Sequence, residues 1–187
     1  MQGCYLIGSP GAGKSTLMRG LTWDAEWYVG KQPFKHLCYV TIEDGVVAIQ
    51  LGDEHETFPG TDRLSMAVQP DAIAFVQSAP APFVFGEGDR LATVGFLTAF
   101  AEACDEGFTL LWLDTPDMLA ASRSAARSSQ NEAWQKGRRA KVRNLASILD
   151  PVRLDGTNPA DELVAHAREL VPAFERLRTL PPVDGRG

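Results

Sequence analysis

The sequence predicts an α/β protein built on a mainly parallel sheet, and three observations carry that expectation. Apolar runs with strand character alternate with segments of helical periodicity along the 187-residue chain. A glycine-rich stretch, "GSPGAGKST" at 8–16, lies between a strand-like run and a helix-like one. "FTLLWLD" at 108–114 is apolar without alternation, as in a strand covered on both faces.

Taken in order, "CYLIG" (4–8) reads as a buried strand and "KSTLMRGL" as the helix behind the glycines. Trp23, Trp27 and Tyr28 stand at helical spacing and read as packing residues rather than a stacking platform. "HLCYVTI" (36–42) and "VVAIQLG" (46–52) are two strands joined by a tight turn, for which Asp44-Gly45 supplies a positive φ. A helix is expected from Thr61 or Asp62 through "RLSMAVQ"; Pro70 interrupts it, and a second helix starts behind Asp71. "APFVFGEGDR" (81–90) is a strand ending in glycines and charge, followed by an apolar helix over 91–104. After the 108–114 strand, "TPDMLAASRSAAR" opens a helix with Pro116 in its first turn. A basic, polar stretch follows, then a helix "KVRNLASIL", a short strand "PVRLD" (151–155) and a last helix "NPADELVAHAREL". No repeat or interdomain linker interrupts this pattern. One domain is expected over 1–172, with a lid at roughly 123–143 and a C-terminal extension and frayed tail over 173–187.

Composition bounds the function. With 44% hydrophobic and 22% charged residues, the chain has ordinary globular character and enough length for one well-buried core. No apolar run reaches the roughly 18 residues of a membrane span, and no signal peptide is expected before the first strand. Cys4, Cys38 and Cys104 are odd in number and lack C-x-x-C spacing, so they read as reduced core thiols in a cytoplasmic protein. The net charge of −6 argues against a generic nucleic-acid coat. Yet Arg123, Arg127, Lys136, Arg138, Arg139, Lys141 and Arg143 face a single acid, Glu132, a local balance of +6 that leaves −12 for the rest.

Gly8, Gly13, Lys14 and Ser15 satisfy G-x-x-x-x-G-K-[ST] between strand and helix, the arrangement that cradles nucleotide phosphates. Glycines let the backbone N–H groups of Ser9, Pro10-flanked Gly11, Ala12, Gly13, Lys14, Ser15 and Thr16 turn inward, and the helix N-terminus adds its positive end. Lys14 would bridge β- and γ-phosphates, with the Ser15 hydroxyl on Mg²⁺. Three uses of the nucleotide compete. A motor would place Asp114, at the end of "LLWLD", on Mg²⁺. A GTPase would need an N-K-x-D motif, which this chain lacks. A kinase would use "FVFGEGDR", with Glu87, Asp89 and Arg90 at a strand's C-terminal end. It would also use Arg123 and Arg127 at i, i+4, under a basic lid that excludes water.

Nearly end to end, over residues 3 to about 172, the chain resembles P-loop nucleotide kinases of the thymidylate-kinase-like group. "FPGT" (58–61) resembles their E-P-G-G-T loop near the substrate, and "GDR" (88–90) their D-R motif. "LDTPDMLAASRSAAR" resembles their strand, helix and start of the lid, and "VRLDGTNPADELV" their terminal strand and helix. The resemblance implies a five-stranded parallel core in a three-layer sandwich, ATP as donor and Mg²⁺ as the only cofactor. It places Asp155, Gly156 and Thr157 beside the adenine and Phe58 and Thr61 beside the substrate. The acid and arginine that precede the proline in thymidylate kinases are replaced by His55-Glu56-Thr57-Phe58, and Asp62 and Arg63 follow instead. The combination of "FPGTDRLSM", "GEGDRLAT" and Q-N-E-x-W-x-K-G-R is similar to a bacteriophage branch that phosphorylates 5-hydroxymethyl-deoxyuridine already in DNA.

Each candidate residue carries a plainer reading beside the functional one. Glu87 and Asp89 ligate Mg²⁺ through water or activate an acceptor hydroxyl, or else cap a glycine turn. Asp62 accepts the hydroxyl proton or caps the next helix, and Arg63 holds an acceptor phosphate or is a surface arginine. Arg90 belongs with the D-R motif. Arg123 and Arg127 read as lid arginines on the donor phosphates, the alternative being a solvated face. Trp134, Lys136 and Arg138, with Arg139, make a DNA contact or lid tip, or an exposed basic helix. His36 and His166 attract no role, and His55, among Asp53, Glu54 and Glu56, reads as part of a solvated acidic loop. The expected partners are ATP and a DNA acceptor, with a deoxynucleoside monophosphate as the alternative and a DNA-binding or packaging ATPase as a further one. No membrane contact is expected, and the oligomeric state is open, a dimer being allowed. The expected location is the cytoplasm, that of the host if the chain is phage-encoded.

Overall fold

Every residue of β1 (Gln2–Gly8) after Gln2 is buried, because the strand lies inside the sheet and is covered on both faces. The structure, a computed structural model, describes residues 1–23, 25–41, 44–53, 59–125 and 132–178. The other strands are β2 (Trp27–Gly30), β3 (His36–Thr41), β4 (Gly45–Leu51), β5 (Phe83–Glu87), β6 (Phe108–Asp114) and β7 (Val152–Asp155). Their order across the sheet is β2-β3-β4-β5-β1-β6-β7. From β4 to β7 all pairings are parallel, so the expected parallel core is present.

The sheet has seven strands rather than five, because β3 and β2 extend it by antiparallel pairing beyond β4. Gly45, at φ 70°, begins β4 after the Asp44 turn, as the hairpin expectation required. The helical reading of Trp23, Trp27 and Tyr28 is corrected. The first helix stops at Thr22, and Trp27 and Tyr28 pair with Tyr39 and Cys38 as an edge strand. All three aromatics are exposed, Trp23 by 70%, so their packing role is overturned as well.

Among the described residues seven helices flank the sheet: α1 (Lys14–Thr22), α2 (Gln69–Gln77), α3 (Val94–Glu102), α4 (Asp117–Ala125), α5 (Glu132–Leu149), α6 (Ala160–Leu170) and α7 (Ala173–Arg178). Side chains alternate along β1, and the two faces feed two cores. Tyr5 and Ile7 pack with Phe96 and Phe100 of α3 and Val142 and Leu145 of α5. Cys4 and Leu6 pack with Leu17 and Leu21 of α1, Leu163 of α6 and Phe174 of α7. The result is a three-layer sandwich with the sheet in the middle.

Two helix expectations change. The helix expected from Thr61 is a single 3-10 turn, Thr61–Arg63. α2 begins at Gln69 and takes Pro70 into its first turn, where a missing N–H leaves no bond unmade. From Glu132 the basic stretch is helical, the first half of the 18-residue α5, whose buried Val142 and Leu145 anchor it to the core. Among the described residues no helix is long and apolar enough to cross a membrane.

Phe174 is fully buried and meets Phe83 and Phe85 edge-on, with ring centroids 5.0 and 5.1 Å apart. α7 is thereby part of the second core. Phe174→Ala is expected to cost about 3–5 kcal/mol of unfolding free energy, read from the urea midpoint at constant slope.

Candidate active site

The five parallel strands point their C-terminal ends at one edge of the sheet, where open α/β folds bind their ligands. At the centre of that edge the loop after β1 turns through Gly11 and Gly13, at φ 79° and 103°. Those left-handed conformations aim successive N–H groups inward, and Gly13 leads directly into α1. The Lys14 ammonium donates to the carbonyls of Gly8, at 2.9 Å, and Ser9, at 3.3 Å, so it lies across the loop's mouth. Thr115 Oγ1 donates to Ala12 O at 3.0 Å and ties the loop to the end of β6.

Beside it, Gly156 N donates to Asp114 O at 2.8 Å. A Cβ at Gly156 would stand 1.9 Å from Thr115 Oγ1, so only glycine allows this approach. Arg123 reaches the carbonyls of Ala12 and Gly156, both at 3.5 Å. Gly11, Gly13, Thr16, Arg123, Gly156 and Asn158 line a cavity of about 280 Å³. Asp155 instead folds onto its own loop, accepting from Thr157 N and Oγ1 at 3.0 and 2.7 Å. Those bonds hold its carboxyl below the usual carboxylate range.

Ser15 Oγ donates to Glu87 Oε1 at 2.9 Å. Glu87 ends β5 and is 2% exposed. Burial pushes its pKa up to about 7, against the pull of Lys14 and the Ser15 hydrogen bond, while Asp62 adds to the rise. A serine hydroxyl paired with a carboxylate is an oxygen-only donor set, which fits Mg²⁺. Among the described residues no group of three or more His, Cys, Asp or Glu could hold a metal ion. Mg²⁺ commonly takes one or two carboxylates and keeps waters and substrate phosphates as its other ligands, so the pair suffices.

The loops after β4 and β5 interlock against this pair. A Cβ on Gly60 would stand 2.6 Å from Glu87 O. Thr61 is fully buried with Oγ1 3.0 Å from Tyr5 Oη, which donates to Gly88 O at 2.9 Å. Asp62 Oδ1 accepts from Asp89 N at 2.6 Å, and Arg90 donates to Asp62 O at 3.3 Å and touches Met66 Sδ. Thr61, Asp62, Glu87, Asp89 and Arg90 are thus brought together, and Arg63 is exposed at the end of the same turn.

The Asp89 carboxylate meets α5 and not Ser15: it pairs with Arg138, and with Lys141 at 3.1 Å. Arg138 also lies over the Trp134 ring, 5.2 Å from its centroid. Lys136 is exposed, and Arg139 turns to Gln135 at 3.1 Å. Phe58, Arg127 and His55 lie outside the described residues. Asp114 accepts from Arg153 Nε at 2.7 Å, whereas the acid bonded to Ser15 is Glu87.

Four residues of this site were given no individual role in the sequence reading. Lys141 follows Arg138 at i+3, a spacing that puts both on one helix face. Tyr5 and Thr115 are buried hydroxyls, which require partners. Asn158 shares the Gly156 loop. A buried tyrosine in an apolar strand carried the clearest signal of the four.

The family model for P-loop Nucleotide Kinase3 matches residues 2–177. The chain belongs to the P-loop nucleotide kinase family. No curated protein matches its sequence. Among solved structures it is similar to a sugar kinase from Janibacter sp. HTCC2649, at 14% identity and TM-score 0.54, over 93% of this chain and 98% of that one. It is also similar to a gluconokinase from Sinorhizobium meliloti 1021, at 14% identity and TM-score 0.53, over 94% and 93%. Both likenesses are to the P-loop kinase fold.

In this P-loop kinase fold the raised pKa of Glu87 has a stability consequence. The native state keeps a proton that the unfolded chain releases above its ordinary value of 4.5. This contribution to stability is full below that value and declines as pH rises through about 7, by up to about 3 kcal/mol. Glu87→Gln should remove that component, so urea midpoints of wild type and variant at about pH 5 and about pH 8 should diverge in the variant's favour at the higher pH.

Proposed function

We propose that the protein is an ATP-dependent phosphotransferase whose acceptor is the hydroxymethyl group of 5-hydroxymethyl-deoxyuridine in DNA, a step of thymine hypermodification in phage DNA. Glu87 carries the transfer reading. It holds the phosphate-loop Ser15 on one side and is packed by Gly60, next to Asp62, on the other. A donor loop and an acceptor loop that share one buried carboxylate suit delivery of phosphate to a second substrate better than hydrolysis alone. The DNA acceptor is supported by the motif pattern around "FPGTDRLSM" and by Trp134 beside the cations of α5.

In this reading the backbone N–H groups of residues 11–16 hold the donor phosphates, with Lys14 and Arg123 as their cations. Ser15 and Glu87 hold Mg²⁺, which when bound neutralises charge on the phosphate oxygens. The acceptor oxygen attacks the γ-phosphorus, the bond from that phosphorus to the β,γ-bridging oxygen breaks, and ADP leaves. The hydroxyl proton passes to the Asp62 carboxylate, which the Asp89 N–H orients at 2.6 Å. A phosphate acceptor would need no such base, which is why Asp62 bears on the substrate.

With γ-labelled ATP, label is expected in DNA containing 5-hydroxymethyluracil and not in dTDP formed from dTMP; label in dTDP alone would replace this reading with a deoxynucleoside monophosphate kinase. Asp62→Asn should lower kcat by roughly 10²–10⁴-fold while leaving the KM for ATP in place. Asp114→Asn separates transfer from a DNA-stimulated ATPase: transfer persists in the first case, and hydrolysis is lost in the second.

A further inference from the structure

We infer that Arg138 and Lys141 form a binding site for a substrate phosphate, which the carboxylate of Asp89 fills in the free protein. The inference takes from the proposed function only the position of an anionic acceptor at this cleft. Two cations one helical turn apart converge on a single carboxylate at the mouth of the acceptor site. The Arg138 guanidinium carbon lies over the Trp134 ring, 5.2 Å from its centroid, a cation–π contact that holds the cation at the cleft without using its N–H donors. Lys141 makes a second bond, to Asp89 O at 2.8 Å, that does not depend on the carboxylate. α5 therefore stays docked on the loop when the side chain leaves.

Magnitudes favour exchange. Asp89 is 27% exposed, and Arg138 and Lys141 are 32% and 30% exposed. Ion pairs in such water-accessible positions are weak, so an incoming anion can displace the carboxylate. A phosphate oxygen set matches a guanidinium bidentately and brings its own charge. The same chemistry describes the phosphodiester of a DNA strand and the monoester of a free nucleotide, so the probes must tell them apart.

The test measures binding without ATP. A fluorescein-labelled single-stranded oligonucleotide containing 5-hydroxymethyl-deoxyuridine is titrated by anisotropy over a salt series. In a second arm, 5-hydroxymethyl-dUMP is titrated by calorimetry. Asp89→Asn should tighten binding in at least one arm by about three- to fivefold, because the occupying charge is gone. Lys141→Gln should weaken binding in that same arm, and with the oligonucleotide should make the salt slope shallower by about 0.7. Lys141→Arg should restore affinity. In turnover, Lys141→Gln should raise the acceptor KM and leave the ATP KM unmoved. Effects confined to the mononucleotide support the anion site while overturning the DNA acceptor; effects with the oligonucleotide support both. Unaltered affinity of folded Asp89→Asn in both arms overturns the site. If that variant does not fold, unchanged affinity and slope in Lys141→Gln overturn it.

Discussion

The hydrogen bond from Ser15 to Glu87 joins the two halves of the site, and the rest of the active edge is arranged around it. A carboxylate 2% exposed at the end of β5 is costly to ionise, and the structure offsets that with the Lys14 ammonium and the serine hydroxyl. Room for it depends on glycine. Gly60 passes the Glu87 backbone too closely for any Cβ, and Gly88, at φ 113°, would put a Cβ 2.7 Å from Thr61 Oγ1. The apolar centre of the sheet thus reaches its polar edge through one acid whose neighbours are built to tolerate it.

From that acid the order spreads through the interior of β1. Tyr5 faces the α3 side of the sheet, and its hydroxyl reaches the loops after β4 and β5 through Thr61 and Gly88. Thr115 performs the matching task on the donor side by binding Ala12 O. The loops are therefore anchored by buried hydroxyls, Tyr5 from the middle of β1 and Thr115 from just beyond the end of β6. Since buried polar groups must find partners, these bonds hold the loops in one arrangement rather than merely adding stability.

The sequence was most legible where a backbone conformation is dictated locally. The phosphate loop follows from Gly11 and Gly13, the β3–β4 hairpin from Gly45, and the start of α4 from Pro116, whose carbonyl accepts from Ala120 N at 2.9 Å. It was least legible where two periodicities fit the same residues. Trp23, Trp27 and Tyr28 satisfy a helical spacing, yet pairing with β3 decides the conformation of Trp27 and Tyr28, and that partner lies about ten residues away in sequence. The basic stretch shows a related limit. Charge singled it out, but only packing reveals that Val142 and Leu145 continue the helix from Glu132 into the core. Site residues divided likewise: Glu87 and Arg123 were visible from their motifs, but the partner of Asp89 was not, because Lys141 becomes its neighbour only when α5 packs across the sheet.

The two acids at strand ends show how the fold assigns chemistry by position rather than by residue type. Asp114 and Glu87 each close a strand that neighbours β1, and either could be read from sequence as the metal-side acid. Across β6 lies β7, whose Arg153, in register with Trp112, reaches along the strand to take the Asp114 carboxylate at 2.7 Å. Across β5 lies β4, which contributes no cation there, and the loop that follows it brings a glycine onto the Glu87 backbone. One acid is neutralised by an exposed arginine and the other is left facing the serine of the phosphate loop. Sheet order, by choosing the neighbour, chooses the acid. The loops after β4 and β5 meet on that side, where the Glu87 carboxylate faces Ser15 and the Lys14 ammonium.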